Sequence, residues 1–227
     1  QDAAMDSAMN HVLSYGITFV QDMGSLSEFN VYERTWKNKK LRMRMRASID
    51  LANWQYMEQM VKRTNSTGDD WFSYGVLKGY VDGSLGSHTA YQKQDYTDRP
   101  GYRGLLLNSK DNLTLWARNA DLARLQVGIH AIGDAGNALV LDIYEQIFKE
   151  HSWRDRRWRI EHAQQLPVED RMRFSKMNIT AAMQPIHLLD DVRNNYCWEL
   201  NGLSCLQLGR FCGLKKCLAL NASKTCT

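Results

Sequence analysis

The sequence predicts an α/β fold built on a parallel sheet, and three observations carry that reading. Short β-branched and aromatic runs alternate with amphipathic helical stretches over roughly the first 195 residues. Chemistry-bearing polar residues fall at the ends of several of those runs. No Gly-x-Gly-x-x-Gly joins a strand to a helix, so a dinucleotide-binding version has no support. This many strand–helix units fits a (β/α)8 barrel or a doubly wound sheet.

Residues 1–15 place Ala4, Met5, Ala8, Met9 and Val12 at three- and four-residue steps, a helical face that Gly16 ends. A strand follows at 17–20, then a helix over 29–39 and an alternating strand over 41–49. Residues 51–62 read as a helix with Trp54, Met57 and Val61 on one side, and 74–81 as the next strand. A long polar loop rich in Gly, Asp and Pro leads to a helix at 112–122 and a strand at 127–130. The helix over 135–149 shows the 3.6-residue period through Leu139, Asp142, Ile143 and Ile147. After an extended piece at 157–162, Pro167 opens a helix in its first turn, and a strand at 179–183 precedes Gln184-Pro185.

Composition bounds the function. Hydrophobic residues make up 44% and charged ones 24%, an ordinary globular balance that excludes disorder. The formal charge of +4 is small, and acids lie among or beside the basic clusters at 37–46 and 154–159, so these read as solvated faces rather than a nucleic-acid patch. No run of 18 apolar residues exists, so no membrane span is expected. No leader is visible at Gln1, and the lack of an initiating Met points to a piece of a longer protein. All five cysteines (Cys197, Cys205, Cys212, Cys217, Cys226) lie in a tail that lacks acids from 201 onward. Their odd number and irregular spacing fit neither a closed disulfide set nor a metal knuckle, and favour reduced thiols in a cytoplasmic setting. Sequons at Asn65, Asn112, Asn178 and Asn221 keep a secretory route open.

Three consecutive strands deliver the notable polar groups. Lys78 interrupts an apolar strand, His130 ends 125–129 and His162 ends 158–161. In a parallel barrel, function gathers at such C-terminal strand ends, and imidazole suits zinc and similar ions. Each residue alone has a bland alternative: a hydrogen-bonded strand-end histidine, or a buried lysine paired with Asp82 or Glu161.

At these positions the sequence resembles the amidohydrolase superfamily, in its YtcJ-like branch (amidohydrolase family 3). The resemblance lies in 16–24, in Leu77–Ala90 with its Asp82-Gly83-Ser84-Leu85-Gly86-Ser87, in His130-Ala131-Ile132-Gly133-Asp134, in Arg159–Gln164 and in Met183–His187. It implies a metal-dependent hydrolase of the TIM-barrel type, acting on carbon–nitrogen bonds of a small amide-like molecule. It further implies Lys78 as a carbamylated metal bridge and His130 and His162 as metal ligands, with a divalent cation, zinc foremost. By the same resemblance His187 would face the substrate or cap its loop, and Asp134 would anchor the turn after His130 or, the preferred reading, cap the helix that follows. His88, in the loop after the Lys78 strand, would approach the substrate, while His11 and His151 have no expected role.

The resemblance covers strands two to seven of such a barrel over residues 1–195, leaving 196–227 as a divergent tail. Strands one and eight, with their His-x-His pair and aspartate, have no counterpart here, and Gln21 stands where many relatives carry a His. No catalytic residue is therefore assigned. Two expectations follow: an incomplete copy of a metal-dependent hydrolase, or an inactive fragment with a regulatory role. Open sheet edges would favour self-association of the latter.

Overall fold

The computed structural model describes residues 1–193; the expected tail at 196–227 and all five cysteines lie outside the described residues. In chain order the elements are α1 (Asp2–Ser14), β1 (Phe19–Asp22), α2 (Leu26–Lys37), β2 (Arg44–Asp50), a 3-10 turn (Leu51–Asn53), α3 (Trp54–Thr64) and β3 (Phe72–Tyr80). They continue with α4 (Lys110–Leu122), β4 (Gln126–Ala131), α5 (Asp134–Glu150), β5 (Arg159–His162), α6 (Val168–Met177), β6 (Thr180–Ala182) and α7 (Ile186–Arg193). The six strands form one sheet in the order β1-β2-β3-β4-β5-β6. The pairs β1–β2, β2–β3 and β5–β6 run parallel, as expected for strands joined by helical crossovers. No helix among the described residues is long and apolar enough to cross a membrane.

The chain divides into two compact units: Gln1–Gly79 with Thr114–Gly128, and Tyr80–Leu113 with the chain from Ile129 onward. In the first, α2 starts at Ser25, whose backbone N–H donates to Glu28 Oε2 at 2.7 Å, one half of a capping box. Its buried Phe29 meets Phe72 and Tyr74 at ring distances of 5.7 and 5.9 Å, and Trp36 meets Phe72 at 5.6 Å. Such pairs contribute about 0.5–1.5 kcal/mol each beyond area burial. Gly75 sits in β3 at φ +96°, where the β2–β3 register shifts. A glycine accepts that left-handed bulge, and beyond it Lys78 stands opposite Asp50. Asn65, one of the sequon asparagines, ends α3 in the left-handed conformation at φ +47°.

In the second unit α5 presents Val140, Leu141, Ile143, Tyr144 and Ile147 as one buried stripe. Tyr144 packs on the fully buried Trp158 at 4.7 Å, and its hydroxyl donates to the Arg159 carbonyl at 2.9 Å, so the ring is buried with its polar tip satisfied. Phe148 closes the cluster against Trp158, with the Arg156 guanidinium 4.4 Å over its other side. Arg173 of α6 reaches Asp142 and Glu145 of α5 as well as Asp170 of its own helix.

Element bounds differ from the sequence reading where pairing or a neighbour overrides local pattern. β1 begins two residues late, because Phe19 is the first residue with a β2 partner, Arg44. Pro167 is the N-cap of α6 rather than a residue of its first turn. The 51–62 stretch splits into a 3-10 turn followed by α3. The short helix α7 was not expected; it places His187 on a helix rather than in a loop. The two neighbouring tryptophans give a direct check on the core. Trp158→Ala should cost about 3–5 kcal/mol in urea unfolding. Trp153→Ala, at a residue 83% exposed, should stay within about 0.5 kcal/mol of wild type.

Candidate active site

The C-terminal ends of β4 and β5, neighbours in the sheet, bring His130 and His162 together in the second unit. Their rings lie 4.6 Å apart in an edge-to-face arrangement at 73°. His187, at the start of α7, stacks on the far side of His162 at 5.6 Å and 21°. Tyr80, the last residue of β3, stands 5.6 Å from His130. Three sequence-predicted histidines thus form one aromatic cluster, joined by a tyrosine the sequence reading passed over.

Each central ring is fixed by an oxygen acceptor. His130 Nε2 lies 2.8 Å from the Gly83 carbonyl and 3.5 Å from Asp82 Oδ1. A carbonyl only accepts, so Nε2 carries the proton and, in the neutral ring, Nδ1 carries the lone pair. His162 Nδ1 lies 2.7 Å from Gln184 Oε1, which places the proton on Nδ1 and the lone pair on Nε2. His162 and the following Ala163 both adopt positive φ, +72° and +45°. Two consecutive residues with side chains in the left-handed region cost energy, and such strain collects at functional sites.

Asp82 organises the loops behind the rings. It is fully buried, and its Oδ2 accepts from the backbone N–H of Tyr91 at 2.9 Å and of Gly133 at 2.8 Å, while Oδ1 accepts from Ile132 at 3.0 Å. One carboxyl therefore ties the 82–109 loop to the turn between β4 and α5. Glycine is required at 136, because a Cβ there would meet Asp82 Oδ2 at 2.6 Å. Burial pushes the Asp82 carboxyl up to about 6, against the three N–H donors. A carboxyl raised in the fold binds its proton more tightly folded than unfolded. Its contribution to stability therefore declines as pH climbs from 3.8 to about 6. Asp134 is the first residue of α5, and Gly133 is its N-cap, which corrects the expected capping role. The Asp134 carboxylate instead accepts from the Lys93 and Ala135 backbone N–H groups at 2.7 and 2.8 Å, a second clamp on the same loop.

The remaining titratable residues sort by their partners. Lys78, in the first unit, is 4% exposed at the end of β3, a position where an ammonium must be compensated. Glu161 is engaged by Arg159 through Oε1 and Oε2 at 2.7 and 3.0 Å. His88 Nε2–H donates to Asp98 Oδ2 at 2.8 Å and its ring packs on Tyr96 at 4.9 Å, a brace inside its own loop. His11 packs on Tyr15, and His151 is the C-cap of α5. Among the described residues no group of three or more His, Cys, Asp or Glu is arranged to hold a metal ion.

Six strands in sheet order, alternating with helices, define an α/β protein. The chain belongs to the amidohydrolase family, whose pattern it matches over residues 1–198. It is 34% identical to the Arabidopsis thaliana protein LONG AFTER FAR-RED 3 over 91% of this chain and 40% of that protein. It is 26% identical to YtcJ of Bacillus subtilis strain 168, whose name places it among amidohydrolases, over 84% of this chain and 36% of that one. In structure it resembles an uncharacterised metal-dependent hydrolase of Pyrococcus furiosus, with a TM-score of 0.72 and 25% identity over 84% of this chain and 39% of that one. A similar hydrolase of Pyrococcus horikoshii gives a TM-score of 0.68 at 23% identity over 80% and 36%, a likeness of fold. The chain spans about two fifths of the length of the curated relatives it matches.

Sequence reasoning placed His130, His162 and His187 near one another in purpose but missed what holds them. Asp82, the Gly83 carbonyl and Gln184 all lie within segments that carried the resemblance, yet their partners are distant in sequence. Asp82→Ala would leave three backbone donors without their acceptor and should cost on the order of 3 kcal/mol or more. Hydrogen exchange should show Tyr91, Ile132 and Gly133 losing protection together, ahead of the amides of α5. Retained protection of those three would refute the tie.

Proposed function

We propose that this chain is part of the catalytic domain, a (β/α)8 barrel, of a metal-dependent hydrolase acting on carbon–nitrogen bonds of small amide-like molecules. The observation that carries the reading is the meeting of His130 and His162 at 4.6 Å on neighbouring strand ends. Membership of the amidohydrolase family and likeness to a metal-dependent hydrolase of Pyrococcus furiosus support it. In this reading His130 and His162 are cation ligands through Nδ1 and Nε2, and imidazole donors suit zinc.

A divalent cation bound there supplies polarisation of a substrate carbonyl and an activated water at neutral pH. The chain's own residues do the positioning. Gly83 and Asp82 hold the His130 ring, and Gln184 holds that of His162. Leu85, Ala90 and Ile132 form a buried apolar cluster that packs the 82–109 loop against the end of β4. His187, half-buried beside His162, is the group we assign to face the substrate.

Metal content of the purified chain by plasma mass spectrometry tests the reading. Near-stoichiometric zinc or a related cation is expected in wild type, with loss of nearly all of it in the His130→Ala/His162→Ala double variant. Equal metal in wild type and the double variant would sink the assignment.

A further inference from the structure

We infer that Gln184 is a positioning residue that sets the ring tautomer of His162. For its consequence, cation affinity, this rests on the proposed reading of His162 as a ligand; the tautomer itself does not. Gln184 Oε1 lies 2.7 Å from His162 Nδ1, and an amide oxygen can only accept, so the ring proton belongs on Nδ1. The orientation of the amide is set by its other end. Gln184 Nε2 lies 3.4 Å from the Ala182 carbonyl, a contact that favours the amino group there and would turn repulsive if the amide were reversed.

The surroundings restrict both partners. Pro185 biases Gln184 toward extended backbone. His162 is aimed by its own φ of +72°, and its ring is bounded by His130 on one side and by the near-parallel His187 ring on the other. In water a neutral imidazole side chain prefers the proton on Nε2, so the fold has to reverse that preference for Nε2 to present its lone pair. Gln184 does so with a neutral acceptor, fixing the tautomer without adding a second negative charge next to the ring.

The test is nitrogen-15 NMR of the histidine side chains in the full chain, at a pH well above the ordinary imidazole value of about 6.5. The His162 signals are assigned by their absence in His162→Asn. Wild type should show the Nδ1–H pattern of two-bond couplings, and Gln184→Ala should move His162 to the Nε2–H pattern. Gln184→Glu, which retains an acceptor, should restore Nδ1–H. Zinc titration should show Gln184→Ala weakened roughly 10- to 100-fold, with Gln184→Glu at or above wild type. An Nε2–H pattern in wild type, or no change in Gln184→Ala, would overturn the inference; should Gln184→Ala fail to fold, the wild-type and Gln184→Glu spectra still decide it. If the tautomer follows Gln184 but neither protein binds zinc, the inference about the ring stands and the cation reading fails.

Discussion

Asp82 accepts hydrogen bonds from three backbone N–H groups drawn from two loops, while its Oδ1 stands 3.5 Å from the ring nitrogen of His130. Those donors would otherwise be buried near one another without acceptors, and orphaned backbone donors are rare in folded proteins. The carboxyl is thus the point at which the 82–109 loop, the β4–α5 turn and one ring of the histidine cluster are tied. Gly136 of α5 gives it room, and Asp134 repeats the clamp one turn outward at Lys93. A buried acid of this kind is costly in isolation, which is why it appears only where the backbone supplies several donors at once.

The strain at His162 and Ala163 belongs to the same design. Two left-handed residues at the end of β5 carry the chain out of the strand and into the segment that leads to α6. The ring of His162 is then held between His130 and His187 and bonded to Gln184. Rings fixed in this manner have little orientational freedom left to lose on contact with any ligand. In the first unit Lys78 has a geometry of its own. The glycine bulge at Gly75 shifts the β2–β3 register and leaves the lysine opposite Asp50.

Much of this was legible in the sequence, because periodicity is local. The buried stripe of α5 through Leu141, Tyr144 and Ile147, and the strand ending at His130, can be read from a window of a dozen residues. Strand ends also place His162 without any knowledge of its partners. What could not be read are the pairings across distance: Asp82 with Ile132 and Gly133 some 50 residues on, and His162 with Gln184 22 residues on. Both partners lie inside motifs that were visible, but a motif shows that a residue is wanted and not what it touches. The helix α7 was missed for a related reason. Eight residues beginning directly after Pro185 are too few for a period to declare itself, and docking rather than propensity stabilises so short a helix. Asp134 was misread because Gly133 took the cap position, where a side chain would collide with the Tyr91 carbonyl.

The central claim is that His130 and His162 hold one cation between them. Zinc-edge X-ray absorption on the metal-loaded chain tests it most directly, because the scattering distinguishes the two donor types this sequence offers. The account predicts two imidazole nitrogens among the ligands, at about 2.0–2.1 Å, and their loss when both histidines are replaced. Sulfur scatterers at about 2.3 Å, from the cysteines between 197 and 226, with no imidazole signature, would contradict it.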